Sequence, residues 1–486
     1  MNLGLFLPEL ILAIFAIAVI LLDLFTESKK LLVQVSLSGL VIAGGVTVAM
    51  RGDSFPTIFN NMLVVDNFAL FFKLLFLGIA FLVILSSVDY ITKFARFRGE
   101  YYALVLLSTL GMMLMAATAD LISIYIALEL TSISLYALTG FLKDNKSAEA
   151  SLKYLLLGAI ASAVLLYGMA LIFGFTGKTQ LGEIAHTLQT MPPQTLLSSP
   201  ALMLGIVLLI AGFGFKIAAV PFHMWVPDVY EGAPTPITAY LSVASKAAGF
   251  AVIMRVFFSA FTLPEWLSLN WGIIFAVLAV IGMTLGNIVA IPQANIKRML
   301  GYSSIAQAGY LMVGLATVGF SPAADALGRS SILFFLASYA LTNMGAFIAI
   351  IAISDRLKSD LIEDYSGVGK RAPLLALALT LCLVSLIGMP PAAGFMAKFY
   401  IFSAAVQHNL LWLVIIAVIN SVISAYYYLR VVKVMWLGKA VSAAKVPSSG
   451  VLRLALLLAI IGVLLLGIVP GHMMKLAELA ARMFTF

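Results

Sequence analysis

The stretch GFGFKIAAVPFHMWVPDVYEGAPTP, residues 212–236, places Lys216 inside an apolar run and follows it with four prolines. Proline lacks a backbone N–H, and its ring clashes with the preceding turn of a helix. The helix that carries Lys216 is therefore predicted to break or kink just after the lysine, from Pro221 onward. Such a break exposes backbone amides and carbonyls, which are tolerated at membrane depth only where protein or a hydrated cavity surrounds them.

The composition of the 486-residue chain is that of a polytopic membrane protein, because 63% of its residues are hydrophobic and only 10% are charged. About fourteen apolar runs are long enough to cross a hydrocarbon core of about 30 Å as helices. β-Strands of a barrel would be about half as long and would alternate polar with apolar residues. The predicted fold is therefore all-α. The predicted spans are 3–24, 32–50, 67–88, 101–117, 121–141, 151–175, 201–227, 235–261, 271–291, 296–318, 326–354, 373–402, 410–437 and 451–468.

The net charge of +8 follows from the placement of the basic residues in the loops between these spans. Seventeen Lys and Arg residues fall in odd-numbered loops, and five fall in even-numbered loops and the C-terminal tail. Cytoplasmic loops of membrane proteins carry the excess of Lys and Arg. Both termini are therefore predicted on the outer side, and no nucleic-acid partner is needed. The first run carries Glu9 and lacks a basic start, so it is predicted to be a retained span rather than a cleaved signal.

Seven basic residues lie within spans or at their ends. Four of them are near span ends, where a long side chain can reach the lipid headgroups; these are Lys73, Lys153, Arg255 and Arg430. The other three lie deeper, where a charge costs about 2.5–3.5 kcal/mol and is usually retained because it lines a polar path. These three are Lys216, Lys246 and Lys398.

A single acid, Glu129, lies about eight residues into its predicted span, roughly 12 Å from the start of the helix and close to the middle of the bilayer. Its neighbours Thr131, Ser132 and Ser134 carry hydroxyls that are predicted to bond the carboxylate or a file of water molecules. The alternative is a structural ion pair that holds two helices together.

A second interrupted span, LIGMPPAAGFMAKFY at residues 386–400, places Pro390 and Pro391 before Lys398. Two apolar segments that are interrupted by Gly or Pro and carry a lysine indicate a transporter built from repeats. Lys246 lies between them among small residues that let helices pack closely. Buried lysines near a buried acid predict proton exchange that a small helix movement could control.

Other chemistry is scarce, because the chain has no phosphate-binding loop, nucleophile elbow, zinc-binding HExxH or CxxC motif. The lone Cys382 allows no intramolecular disulfide and no thiolate metal cluster, and it is predicted to be a small core residue. His223 follows the predicted break and is either a proton relay or a packing residue. No heme, flavin or iron–sulfur ligand set is apparent, so electron transfer is expected in other subunits.

Five segments together resemble the antiporter-like membrane subunits of respiratory complex I, and the N-type subunits most of all. They are LPELILAIFAIAVILLDLF, LISIYIALELTSISLYAL, KIAAVPFHMWVPDVYEGAPTP, NIKRMLGYSSIAQAGY and SLIGMPPAAGFMAKFY. The resemblance implies fourteen helices, two inverted five-helix repeats and discontinuous helices 7 and 12. The implied division is an N-terminal unit at 1–98, repeats at 99–262 and 268–438, and a C-terminal helix and tail at 439–486.

The resemblance also implies a role for each buried charge. Glu129 is similar to the glutamate that tunes the pumping lysine, Lys216 to that lysine, Lys246 to the connecting lysine, and Lys398 to the residue of the other half-channel. The implied partners are other membrane-arm subunits, including neighbouring antiporter-like ones. NADH, FMN, iron–sulfur clusters and quinone are expected elsewhere in the complex, with no cofactor in this chain.

The function that follows is proton translocation coupled to quinone reduction. Two alternatives remain open at the level of sequence. One is a subunit of a multi-subunit sodium/proton antiporter, and the other is a scaffold of the membrane arm in which the buried charges only hold helices together.

Overall fold

The computed structural model describes residues 3–26, 29–50, 56–93, 97–261, 265–320, 326–439 and 447–482. Three of the basic residues counted in the predicted loops and tails, Arg51, Arg96 and Lys445, lie outside the described residues, as do the domain-boundary positions 1, 262 and 486.

The described chain is almost entirely helical, with one small antiparallel hairpin of β1 (Thr57–Ile58) and β2 (Leu63–Val64). The helices are α1 (Leu7–Phe25), α2 (Lys29–Ala49), α3 (Asn67–Tyr90), α4 (Arg98–Ala117), α5 (Leu121–Thr139), α6 (Asn145–Thr176), α7 (Leu181–Thr190), α8 (Pro193–Leu197), α9 (Pro200–Ile217), α10 (Val226–Gly232), α11 (Thr235–Tyr240), α12 (Lys246–Ala260), α13 (Glu265–Ala290), α14 (Ile296–Phe320), α15 (Ala326–Leu357), α16 (Val368–Arg371), α17 (Pro373–Ile387), α18 (Ala393–Gln407), α19 (Leu411–Leu437), α20 (Gly450–Ile468) and α21 (Gly471–Ala481).

Among the described residues, 12 helices are long and apolar enough to cross a membrane. They correspond to twelve of the predicted spans. Of the two other predicted spans, 296–318 is the 25-residue helix α14, and 373–402 is divided between α17 and α18, which have 15 residues each. The all-α prediction is therefore confirmed, and the chain is a multi-pass membrane protein.

Both predicted helix breaks are present. Helix α9 ends at Ile217, one residue after Lys216, and Ala218 turns the chain with a left-handed φ of 63°. Helix α17 ends at Ile387, and Gly388 turns the chain with a φ of 93°. Each break frees carbonyl groups in the last turn of a helix, and these carbonyls need other partners.

Two helical segments that are completely or almost completely buried form the centre of the molecule. One runs over Thr235–Ala260 and joins α11 to α12 through a π-helical turn at Leu241–Ser245, and the other is α15. Single π-turns inside a helix often mark functional sites, because they re-aim the side chains that follow. Lys246 is the first residue after this π-turn.

The expectation that four basic residues near span ends reach the lipid headgroups is wrong for two of them. Lys73 lies 2.6 Å from Glu9 with both side chains only 1% exposed. Arg255 contacts Asp66 at 2.5 Å and also donates to the Ala116 carbonyl at 2.7 Å. Buried charges are stable in a membrane only when they are paired. Here the carboxylates come from Glu9 in α1 and from Asp66, the residue that caps the start of α3.

The two other basic residues keep partial access to the surface. Arg430 donates to the carbonyls of Ile291 and Gln293 at the end of α13. Lys153 is 42% exposed and pairs with Glu149 and Asp228. Both side chains therefore hold neighbouring elements together at a helix end.

Candidate functional site

Glu129 lies on α5 and is partly buried against α6. Its carboxylate accepts a hydrogen bond from the Ser162 hydroxyl of α6. The predicted partners behave differently, because Thr131, Ser132 and Ser134 each donate to the carbonyl four residues earlier in their own helix, at 2.9, 2.6 and 2.9 Å. The hydroxyl that bonds the carboxylate is thus Ser162, which sequence reasoning missed and whose only signal is a hydroxyl among small apolar residues. Of the three predicted hydroxyls, Ser132 contacts Lys216 instead.

Lys216 lies in the last turn of α9 and is 4% exposed. Its ammonium group donates to the Ser132 hydroxyl of α5 at 2.8 Å. Among the described residues it forms no direct ion pair with Glu129. The Glu129 carboxylate and the Lys216 ammonium therefore each bond a different hydroxyl, that of Ser162 and that of Ser132.

A small cavity of about 10 Å³ lies between these hydroxyls. Its lining includes Ser132, Ser162 and Lys216. A cavity needs roughly 10–15 Å³ and two to four polar partners to hold one water molecule. The space between the Glu129 group and the Lys216 group therefore has the size and polarity for a single bridging water.

Lys246 is 2% exposed and is bonded to two backbone carbonyls. Its ammonium donates to Ile217 at 2.9 Å and to Ser304 of α14 at 2.9 Å. Ile217 is the last residue of α9, so its carbonyl is one of those freed by the helix break. Lys246 therefore caps the broken helix directly beside Lys216 and connects it to α14.

Ser304 and its neighbours continue the polar contacts towards the second half of the chain. The Tyr339 hydroxyl donates to the Ser304 hydroxyl at 3.1 Å. Tyr339 lines a second cavity of about 10 Å³, together with Gln307 and Lys398. The Gln307 amide donates to the Leu386 carbonyl at 3.1 Å, and the same carbonyl accepts a hydrogen bond from Lys398.

Lys398 lies in α18 and is 6% exposed. Its ammonium donates to the carbonyls of Leu386 and Ile387 at 3.3 and 2.9 Å, which are freed where α17 ends. It also donates to the Ser421 hydroxyl at 3.0 Å and lies 4.2 Å from the centre of the Tyr310 ring. The second break thus carries its own lysine cap.

These contacts and the two small cavities place the four sequence-predicted charges in one series of neighbouring polar groups inside the molecule. We call this series the central polar line. Its members are Glu129, Ser162, Ser132, Lys216, Lys246, Ser304, Tyr339, Gln307 and Lys398. Buried ionisable groups in a membrane are costly and usually mark an ion or proton pathway.

His223 lies in the segment between α9 and α10 and is 7% exposed. Its Nδ1 atom has no hydrogen-bond partner among the described residues, and no described contact joins it to the central polar line.

The structure also shows no group of three or more His, Cys, Asp or Glu side chains placed to hold a metal ion, within the residues that it describes. Cys382 is buried, as the sequence predicts for a core residue.

The sequence family described as NADH:quinone oxidoreductase/Mrp antiporter, transmembrane, matches residues 118–424. This range holds all nine members of the central polar line. The chain belongs to this family. Its relatives include NADH-quinone oxidoreductase subunit N of Dehalococcoides mccartyi, which is 53% identical over 99% of both chains.

Solved structures agree with the family. A chain of respiratory complex I from Thermus thermophilus has 33% identity and a TM-score of 0.80 over 97% of this chain and 99% of that one. A chain of the Mrp complex from Dietzia has 21% identity and a TM-score of 0.82, over 100% of this chain and 98% of that one, and this likeness shows the fold alone.

Proposed function

We propose that the chain is the N-type subunit of the membrane arm of an NADH:quinone oxidoreductase, and that it translocates protons when quinone is reduced. The observation that carries this proposal is the central polar line, which links one acid and three lysines through hydroxyls, freed carbonyls and two water-sized cavities. The full-length similarity to subunit N of Dehalococcoides mccartyi supports it. The chain is thus proposed to be part of an oxidoreductase that also acts as a translocase.

In this proposal protons move between Glu129, Lys216, Lys246 and Lys398. Lys216 changes its protonation while its partner, the Ser132 hydroxyl, keeps its bond to the Leu128 carbonyl. A movement that brings the Glu129 carboxylate closer favours the charged ammonium, and a movement away favours release of its proton. Packed helices can switch between two arrangements, so a small shift of one helix can drive a proton along the central polar line.

The placement of the chain in its complex is also a proposal. The excess of basic residues in odd-numbered loops supports both termini on the outer side of a bacterial inner membrane. The two broken helices support repeats at 99–262 and 268–438. Neighbouring membrane subunits are the proposed partners, and NADH, FMN, iron–sulfur clusters and quinone are proposed to bind other subunits.

Proton uptake by inverted membrane vesicles tests the proposal with Lys216→Ala, measured together with quinone reduction by NADH and assembly on a native gel. We expect an assembled complex that pumps fewer protons per electron. Lys178→Ala is the control, because Lys178 is an exposed lysine that pairs with Glu183 at 3.0 Å, away from the central polar line. Unchanged pumping per electron in an assembled Lys216→Ala complex would contradict the proposal.

The same vesicles separate the two alternatives. A sodium/proton antiporter subunit predicts proton flux that requires sodium and needs neither NADH nor quinone. A scaffold predicts that removal of the Lys216 charge prevents assembly rather than transport, because the nearby Glu129 carboxylate would lose a compensating positive charge.

A further inference from the structure

An apolar groove of about 500 Å³ opens at the surface between four helices, α3, α15, α20 and α21. Among the described residues that line it, Asn67 is the one polar side chain. Asn67 is the first residue of α3, so the groove has a polar end where this helix begins. None of the nine members of the central polar line lines the groove. The groove is therefore separate from the proton path proposed above.

The width of the groove matches a single hydrocarbon chain. Along α3 its lining extends from Asn67 to Leu82, which is about 22 Å of helix at 1.5 Å per residue. A volume of about 500 Å³ over that length gives a mean cross-section of roughly 23 Å². An α-helix with its side chains is about 10–12 Å across, or roughly 80–110 Å² in cross-section. The groove is therefore too narrow for a helix of a neighbouring subunit and wide enough for one acyl chain.

The length of the groove matches one leaflet of the membrane. A bilayer with its headgroup regions is about 40–45 Å thick, so one leaflet takes up about 20–22 Å. An even number of spans separates the start of α3 from the end of α20, so both ends lie on the same side of the membrane. Helix α21 follows α20 and packs against α3 and α15. The groove thus extends from this surface to the middle of the bilayer.

Helix α21 places polar groups beside the apolar lining. Leu476 and Leu479 line the groove and are 40% and 47% exposed. His472 and Lys475 are also exposed and lie four residues before these leucines, on the same side of the helix. Lysine attracts the phosphate of a lipid headgroup, and the imidazole ring offers an N–H donor. The groove therefore combines a chain-sized apolar part with a cationic rim.

The cationic rim is needed for retention of one particular lipid. Lipid tails are as apolar as the groove, so moving a tail from the bilayer into it gives no hydrophobic gain. Retention then depends on close packing of the tail and on contacts of the headgroup.

We propose that the groove binds one acyl chain of a phospholipid, whose phosphate contacts Lys475 and His472. The tail lies against Gly78 of α3 and against Ala340 and Leu341 of α15. Tyr339 is about 200° around α15 from Leu341, so the lipid fills the space behind the helix that carries this member of the central polar line. The inference does not depend on proton translocation.

Photo-cross-linking of the assembled complex tests the site. The complex is reconstituted in vesicles of phosphatidylethanolamine and phosphatidylglycerol, with a trace of phosphatidylglycerol that carries a diazirine midway along one acyl chain. Mass spectrometry of peptides then compares labelling of the groove face of α15, at 337–344, with labelling of the exposed apolar face of α2, at 41–48. We expect the α15 segment to be labelled about fivefold more or higher. Equal labelling would mean ordinary boundary lipid and would overturn the proposal.

Gly78→Trp blocks the groove. Gly78 is an exposed lining residue, and an added Cβ there meets no neighbouring atom within 4 Å, so the ring enters the groove without a clash at its base. We expect labelling of the α15 segment to fall about fivefold or more. Gly45→Trp is the matched control, because Gly45 is an exposed glycine of α2 with the same open space and does not line the groove. Unchanged labelling in Gly78→Trp would contradict the site.

Lys475→Gln tests the headgroup contact. We expect the probe to be retained about fivefold less well, which is the effect of one lysine at a lipid surface. Lys178→Gln is the control, because Lys178 is an exposed lysine that pairs with Glu183 and does not line the groove. If Gly78→Trp does not assemble, the comparison of Lys475→Gln with Lys178→Gln decides.

An excess of menaquinone or of unlabelled phosphatidylglycerol identifies the occupant. We expect phosphatidylglycerol to displace the probe and menaquinone to leave it in place. Displacement by menaquinone alone would assign the groove to a quinone tail and overturn the phospholipid. An unlabelled groove in the assembled complex would mean that a neighbouring subunit covers it, which also overturns the proposal. Lys216→Ala should keep full labelling whether or not it pumps, so this test and that of the proposed function fail separately.

Discussion

At the first broken helix, the freed carbonyl of Ile217 accepts a hydrogen bond from Lys246, which lies on the neighbouring buried segment Thr235–Ala260. At the second, Lys398 of the broken helix itself bonds the freed carbonyls of Leu386 and Ile387. Lys216 stands beside the first break but turns to the Ser132 hydroxyl of α5. By sequence, Lys216 and Lys398 are the matching lysines of two interrupted spans. By contacts, Lys398 matches Lys246.

This difference separates two roles for a buried ammonium. Lys246 and Lys398 bond carbonyls that are freed at the two helix breaks, so removing either amino group removes a backbone cap. Within the part of the chain that the structure describes, Lys216 bonds only the Ser132 hydroxyl, which itself donates to the Leu128 carbonyl of its own helix at 2.6 Å. We infer that Lys216 is the lysine whose amino group can be removed with least damage to the fold.

The largest expected effect is the loss of proton pumping in Lys246→Met and Lys216→Met, and the stability of the assembled complex distinguishes these two variants. Each replaces a buried ammonium by an uncharged side chain of similar length, and we expect both to lose most proton pumping. Only Lys246→Met leaves two buried carbonyls, Ile217 and Ser304, without this partner, which we expect to cost roughly 2–4 kcal/mol of stability. The temperature at which the assembled complex dissociates on a native gel measures this cost.

Leu209→Met is the control for the methionine itself, because Leu209 is a completely buried residue of α9 and such a swap usually costs less than about 1.5 kcal/mol. Equal dissociation temperatures for Lys246→Met and Lys216→Met would mean that Lys246, which caps a helix break, contributes no more to stability than Lys216, which bonds a hydroxyl.

The residues that turn the chain at the two breaks give the next effect. Gly388 has a φ of 93°, and a Cβ there would lie 2.8 Å from Cδ of Lys398. We expect Gly388→Ala to cost roughly 1–3 kcal/mol and to displace Lys398. The first break already tolerates a side chain at Ala218, whose φ is 63°, so Ala218→Gly should change stability by less than about 1 kcal/mol.

Thermal unfolding of the two variants checks this pair. Gly182→Ala serves as the control, since no neighbouring atom lies within 4 Å of the added Cβ and Gly182 is in the short helix α7. A Gly388→Ala protein as stable as the parent would mean that α17 and α18 can rearrange around the break.

Much of this comparison could be predicted from sequence. The apolar runs predict the helices, since length and composition alone decide which segments can cross a bilayer. Pro221 and the Pro390–Pro391 pair predict the breaks, because proline removes a helical hydrogen bond locally. The partners of the charges could not be predicted in this way. Ser162, Ser304 and Tyr339 bond residues on other helices, and that proximity depends on packing between elements.

A smaller effect on proton pumping is expected when the hydroxyl beside Glu129 or the one beside Lys398 is removed. Ser162 is the donor that the structure gives to the Glu129 carboxylate, so Ser162→Ala should lower proton pumping several-fold, roughly two- to tenfold. Ser421 is one of three acceptors for Lys398, and its loss leaves two carbonyls in place. Ser421→Ala should therefore pump nearly as well as the parent.

Proton uptake per electron in vesicles compares the two serine variants. Ser162→Thr retains a hydroxyl and should restore most of the pumping that Ser162→Ala loses. If Ser162→Ala pumps normally, Glu129 communicates with Lys216 by a route that does not include this hydroxyl.

The smallest effect concerns how the half-helix after each break is anchored. Helix α10 carries Asp228, which pairs with Lys153 and Arg298, whereas α18 forms no ion pair among the described residues. Partial burial raises the pKa of Asp228, but the hydrogen bonds and charges of Lys153 and Arg298 outweigh it and hold the pKa below the ordinary value. A carboxyl with a lowered folded-state pKa adds stability above its unfolded pKa of about 3.9, and that stability is lost as the pH falls through the folded pKa.

Asp228→Asn should therefore be less stable than the parent at pH 7, and the difference should shrink below about pH 4. Melting temperatures of the detergent-solubilised protein at both pH values measure it, with Glu183→Gln, which removes the exposed partner of Lys178, as the control. A difference that stays constant with pH would mean that the Asp228 charge does not anchor α10. The two breaks would then differ only in where their capping lysine originates.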